Sequence, residues 1–195
     1  TSGVLGKALS FDGVDDYVRV IFPSNECGSK GTRCNEGTPG PTGRPYPPTK
    51  STFVMWFKTG STANNGLQVI TGTSFGGGCD RVIAINNGVG YFNIWREVNF
   101  NGGSGLNDNQ WHFLVFNFED NRFASYIDGN LYAQTIQGTS NGASGPYSSG
   151  FNWADTYNIG TGSGCRFSAY YFNGLIDEVR IYNRALTEEE IKQLY

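Results

Sequence analysis

Asp177 stands in LIDEVRIYN (175–183), a stretch that alternates like a β-strand. Leu175, Val179 and Ile181 fall on one side and Glu178, Arg180 and Tyr182 on the other, with Ile176 an apolar exception. The alternation puts Asp177 on the apolar side. An unpaired carboxylate in a core is strongly unfavourable, so this one must protonate, pair or hold a cation. Two alternatives need no ion: a pair with Arg180, or a turn capped through backbone amides.

Four cysteines carry the next chemistry. Cys27 and Cys34 are close together; Cys79 and Cys165 are far apart, each beside Gly-rich sequence. Of the three possible pairings, Cys27–Cys34 with Cys79–Cys165 is favoured, because the first closes a short irregular loop. Zinc is the weaker reading, since His112 is the single histidine and no CxxC occurs. Disulfides point to an exported, extracellular protein.

A third group suits recognition. Residues 137–156 carry Tyr147, Phe151 and Trp153 in a Gly/Ser-rich background, with Asp155 and Tyr157 beside them. Aromatic faces stack on sugar C–H groups, and planar polar side chains take the hydroxyls. Trp95-Arg96 ends a strand pattern near a loop edge. A Cys79–Cys165 bond draws Asp80, Arg81 and Arg166 together, and paired arginines grip a carboxylate or sulfate. The plainer reading pairs Arg81 and Arg166 with Asp80 and neighbouring acids. For Trp153, packing within its own loop stands level with ligand binding.

These groups must be held by a β framework. Strand patterns recur at 8–12, 17–22, 51–58, 68–71, 82–87, 91–96, 111–119, 122–127, 131–136, 157–160, 168–172 and 175–183. Asn87-Gly88 and Asp128-Gly129-Asn130 are hairpin turns. About eleven strands at hairpin spacing predict two antiparallel sheets packed face to face. The last ten residues are the one good helix: Thr187 and Glu190 form a capping box, and Leu186 with Ile191 a hydrophobic staple. Three stretches read as loops: 23–50, with six of the seven prolines, the Gly-rich 72–81, and 137–156.

At 195 residues the chain makes one domain with its own core, and 28 glycines with 15% aromatics fit an all-β fold. A net charge of −3 excludes the basic footprint of a nucleic-acid binder. No apolar run approaches the roughly 20 residues of a membrane span. The chain opens on TSGVLGKALS without a secretion signal and reads as a mature protein or an excised domain.

ALSFDGVDDYVRV, NQWHFLVFNFEDNRFASYIDGNLYA and GLIDEVRIYNRALTEEEIKQLY together resemble the laminin-G-like, concanavalin A-like jelly-roll domains, in particular bacterial laminin-G type modules of secreted enzymes and adhesins. The resemblance covers the whole chain as a single domain, residues 1–195, with insertions around 23–50 and 137–156. It implies a two-sheet jelly roll whose first and last strands pair. It also implies a structural calcium ion bridging those strands, with Asp12 of "FDG" and Asp177 as ligands. Asp15 and Asp16 in GVDD read first as plain turn residues, with a further ligand from either as the second reading.

Catalysis finds little support. Hydrolases of this fold carry alternate carboxylates on one strand, as E-x-D-x-E, and no such pattern occurs. Asp177 and Glu178 are adjacent and face opposite sides. His112 sits where the resemblance places a non-catalytic aromatic-His pair. The reading is therefore a non-catalytic carbohydrate-binding, lectin-like module of a secreted, multidomain protein. Its partner is a glycan or polysaccharide held by Trp153, Tyr147, Tyr157, Arg81, Arg96, Arg166 and Asp80. A protein-recognition or adhesion module is the alternative, and a polysaccharide hydrolase or lyase comes last.

Overall fold

The computed structural model describes residues 1–21, 50–62, 66–75, 78–94, 98–119, 122–136, 156–162 and 170–195. Twelve strands precede one helix: β1 (Leu9–Asp12), β2 (Val18–Ile21), β3 (Lys50–Lys58), β4 (Leu67–Phe75), β5 (Gly78–Asn86), β6 (Val89–Ile94), β7 (Val98–Gly102), β8 (Trp111–Glu119), β9 (Arg122–Ile127), β10 (Asn130–Ile136), β11 (Thr156–Ile159), β12 (Asn173–Tyr182) and α1 (Glu188–Leu194). They form two antiparallel sheets of six strands each, ordered β1-β12-β3-β8-β9-β10 and β2-β11-β4-β5-β6-β7. The first strand pairs with the last, Leu9 opposite Ile176 and Asp12 opposite Asn173.

The central pair shows why this sequence makes sheets. β3 and β8 run in unbroken register from Lys50 opposite Glu119 to Lys58 opposite Trp111. Phe53, Met55 and Phe57 join Leu114 and Phe116 in the main core between the sheets. The alternate residues Val54, Phe113 and Val115 form a second cluster with Leu186 and Ile191, with Trp56 packed against it. A strand buried on both faces reads as a nearly continuous apolar run, and these do.

Local chemistry sets the turns and the helix. Asn87 and Gly88 have φ of 50° and 76°, and Asp128 and Gly129 have 50° and 74°, the two left-handed residues of a tight hairpin turn. Thr187 caps α1: its hydroxyl accepts from the Glu190 amide while the Glu190 carboxylate accepts from the Thr187 amide at 2.9 Å. Leu186 and Ile191 are both buried, closing the staple.

Four local expectations change. The Gly-rich stretch 72–81 is mainly strand, because β4 runs to Phe75 and β5 starts at Gly78. β7, VNFNG, is not among the expected strands: it alternates Val98 and Phe100 with Asn99 and Asn101 but is short and rich in strand-poor Asn and Gly, and its pairing with β6 makes it a strand. Within 168–172, residues 170–172 are irregular, with Phe172 fully buried and the Tyr170 carbonyl accepting from the Val69 amide at 3.1 Å.

The fourth change concerns β12. Asp177 opposes Trp56 and Arg180 opposes Val54, so Glu178 and Val179 share the single position of Met55. This is a β-bulge with its first residue, Glu178, left-handed at φ 50°. The extra residue shifts the phase. Ile176 and Val179 belong to the inter-sheet core, and Leu175 and Asp177 point to the opposite face. The apolar side assigned to Asp177 from strict alternation is therefore the wrong face.

Candidate functional site

Asp177 is 8% exposed yet makes no charge pair among the described residues. Its Oδ2 accepts the amides of Val4 at 2.8 Å and Leu5 at 3.2 Å, and its Oδ1 accepts the Glu178 amide at 2.9 Å. The donors come from a small N-terminal turn, in which Gly3 donates to the Gly6 carbonyl and Ser2 bridges Lys7. A Cβ on Gly3 would lie 2.2 Å from the Asp177 Oδ2, so only glycine admits the carboxylate here. Arg180 pairs instead with Glu178.

Asp12 sits at the far end of the same strand pair. It opposes Asn173, four positions from Asp177, or about 13 Å at the rise of a strand. One ion cannot be ligated by both, and the expected Asp12–Asp177 calcium bridge is corrected on that ground. Asp12 has other company. Oxygens of Asp12, Asp15 and Asp16 lie within 4.8 Å of one another, all exposed. The turn is fixed from within: Val14 donates to the Asp12 Oδ1 at 2.8 Å and Asp12 donates its amide to the Asp16 Oδ2 at 3.1 Å. Asn173 Nδ2 holds the Asp12 carbonyl at 2.8 Å. Oxygens at this spacing suit a hard cation with ligand distances near 2.3–2.6 Å.

Tyr157, expected on the ligand surface, is in the core. It is 2% exposed and stacks on Phe53 with ring centroids 6.0 Å apart. β11 begins at Thr156 and lies between β2 and β4, so alternation turns Tyr157 inward. Burial pushes its hydroxyl far above the usual phenol range, with Thr71 opposing weakly. Its neighbour Asn158, fully buried, accepts the Arg19 Nε at 3.1 Å, and Arg19 lies over the Tyr17 ring. Asp80 and Arg81 lie in β5, with Asp80 opposite Thr73 and Cys79 opposite Ser74. Tyr147, Trp153, Arg96, Arg166, Cys27, Cys34 and Cys165 fall outside the described residues.

The laminin G-type family model described as "Concanavalin A-like lectin/glucanases superfamily" matches residues 39–192. The chain belongs to this superfamily. No curated protein sequence matches it significantly. Among solved structures it is similar to the IT-sialidase CBM40 of Ruminococcus gnavus at 16% identity and a TM-score of 0.65, covering 96% of each chain. It is also similar to domains LG4-5 of the mouse laminin alpha1 chain, at 16% identity and a TM-score of 0.58, covering 94% of this chain and 45% of that one. A third likeness is to Trypanosoma rangeli sialidase, at 19% identity and a TM-score of 0.65, covering 97% of this chain and 27% of that one.

The superfamily holds lectins and glucanases, so the acids and the histidine of this member matter. His112 is 12% exposed, with Nδ1 3.0 Å from Asp128 Oδ2 and Nε2 3.1 Å from Asp108 Oδ1. Asp128 is itself occupied, its Oδ1 accepting the Phe113 amide at 2.8 Å. The Gln110 amide, then His112, holds the Asp108 carboxyl below its ordinary value. Both ring nitrogens are thus spent tying the 103–110 segment to the β9–β10 turn, and Phe57 packs against the ring at 5.7 Å. The ion-free alternative of backbone amides capped by Asp177 is the one found, but the sequence does not reveal that two of the donors, Val4 and Leu5, lie 173 and 172 positions away. The repeated glycines of SGVLG were the one available hint of a tight turn. Among the described residues, no helix is long and apolar enough to cross a membrane.

Proposed function

We propose that this chain is a non-catalytic carbohydrate-binding module of an extracellular, multidomain protein. It takes a glycan or polysaccharide on the 137–156 loop, with Trp153 and Tyr147 as stacking aromatics and Arg81, Arg96, Arg166 and Asp80 as polar contacts. The observation that most supports this is the end-to-end fold correspondence with a CBM40, covering 96% of either chain. The occupied ring nitrogens of His112 support the non-catalytic part. A calcium ion in the Asp12–Asp16 turn, with Asp12, Asp15 and Asp16 as ligands, is part of the proposal and stabilises the fold. Disulfides Cys27–Cys34 and Cys79–Cys165 belong to it as well.

The test is a glycan array that includes plant and algal polysaccharides, read with calcium and with EDTA. Binding lost on Trp153→Ala in a folded protein supports the loop site. A blank array from a folded, calcium-loaded protein favours the second reading, a protein-recognition module, for which the likeness to laminin LG4-5 speaks.

A further inference from the structure

The outer face of the first sheet carries a groove. Residues from three cross-strand rows border it. Val54, Val115, Tyr126 and Leu131 lie side by side; so do Thr52, Asn117, Ala124 and Gln134; so do Lys50, Glu119, Arg122 and Ile136. The middle row makes the depression. Asn117 Nδ2 donates to the Leu186 carbonyl at 2.7 Å, and the Leu186 amide donates to Thr52 Oγ1 at 3.0 Å. The chain leading into α1 is thereby pinned over Thr52 and Asn117 as a wall. Ala124, the next residue across, is too small to fill the space before Gln134 on the edge strand β10. The result is a groove of about 570 Å³, lined on the helix side by Leu186, Thr187 and Glu188, a volume in the range of small-molecule sites.

Its chemistry is that of a neutral hydroxylated ligand. Ala124, Leu186 and the edge of Tyr126 supply a narrow apolar strip for C–H groups. Planar groups of every kind surround it: the Gln134 amide, the Arg122 guanidinium, and the Glu119 and Glu188 carboxylates. Among the described residues, the side chains of Arg122, Gln134 and Glu188 make no hydrogen bond or ion pair, while one Glu119 oxygen is held by Lys50 at 2.6 Å. The lining carries both signs of charge, Glu119 and Glu188 beside Arg122, which favours neither a polyanion nor a polycation. Both donors and acceptors are available, as sugar hydroxyls require.

We propose that this groove, formed over Ala124 between Gln134 and the Leu186–Glu188 segment, is a second saccharide site that takes one or two neutral pyranose units. It is independent of the loop site proposed above and shares with that reading only the class of ligand.

The test is a two-dimensional amide NMR titration of the intact chain with cellohexaose, xylohexaose, mannohexaose and maltohexaose. The expected result is saturable shifts at the Ala124, Gln134 and Glu188 amides with at least one of them. Ala124→Trp fills the groove and removes these shifts. Gln134→Ala, at an exposed position that leaves folding intact, weakens them by about tenfold. Trp153→Ala leaves them in place. Still amides with all four sugars, an unchanged affinity in Gln134→Ala, or shifts produced only by peptides would overturn the proposal. Still groove amides beside array binding that depends on Trp153 would remove this site and spare the loop site. Groove shifts beside array binding indifferent to Trp153→Ala would do the reverse.

Discussion

The Val4 amide donates to the Asp177 Oδ2 across 2.8 Å and 173 positions of sequence. With the Leu5 and Glu178 amides, this contact locks the N-terminal turn onto the bulge of the last strand. A carboxylate taking three backbone donors is satisfied without a metal ion.

Asp177→Ala leaves those three amides without their acceptor, and is expected to lower stability by about 1–3 kcal/mol in urea unfolding. The same loss in calcium and in EDTA marks the role as structural. A loss seen only with calcium would sink this account of Asp177. Gly3→Ala should destabilise in a comparable way, since its Cβ would overlap Asp177 Oδ2 and press the Ala8 amide at 2.9 Å.

The calcium site proposed here is the Asp12–Asp16 turn. Wild-type protein is expected to melt higher in calcium than in EDTA, and the gap should close in Asp15→Asn/Asp16→Asn. An equal gap in wild type and double variant, by calorimetry, would remove the ion from this turn.

Glu190 predicts an acid-dependent term. Arg184 first, then the Thr187 amide, holds its carboxyl down to about 2 from an ordinary 4.5. The unfolded carboxylate takes up its proton before the folded one does. The cap and ion pair therefore contribute in full above about pH 4.5 and fade as the pH falls toward 2. Thermal unfolding of wild type and Glu190→Gln should show a constant gap near neutral pH that shrinks through this window.

Glu178 is strained, as a non-glycine residue at φ 50° inside a strand. Glu178→Gly relieves the backbone but loses the contact with Arg180. It is expected to fall within about 1 kcal/mol of wild type. Glu178→Val, β-branched and intolerant of that conformation, is expected to cost about 1–2 kcal/mol. Equal melting temperatures for the two variants would rule out the bulge as the source of strain.

Much of the framework is legible because it is local. Asn87-Gly88 and Asp128-Gly129 specify their turns by tolerating positive φ. Thr187 with Glu190, and Leu186 with Ile191, specify the helix start within a few residues. Alternation along β3 and β8 marks both faces of the central strands as buried. The site is less legible. Tyr157 follows the aromatic loop in sequence, but its exposure is fixed by the pairing of β11 with β2 and β4. VNFNG becomes β7 only beside β6, and the Ala124 groove needs three strands and the pinned segment before α1.

Composition and short-range pattern alone determined that this chain forms a two-sheet all-β domain closed by a capped helix, since turn, cap and alternation preferences act between residues two to five apart. Only the tertiary structure decided which face Asp177 takes, that Asp12 and Asp177 stand at opposite ends of one strand pair, and that Tyr157 is core. The reason is physical. One extra residue at Glu178 inverts the phase of a strand, and it becomes visible only when Asp177 and Arg180 are set against Trp56 and Val54.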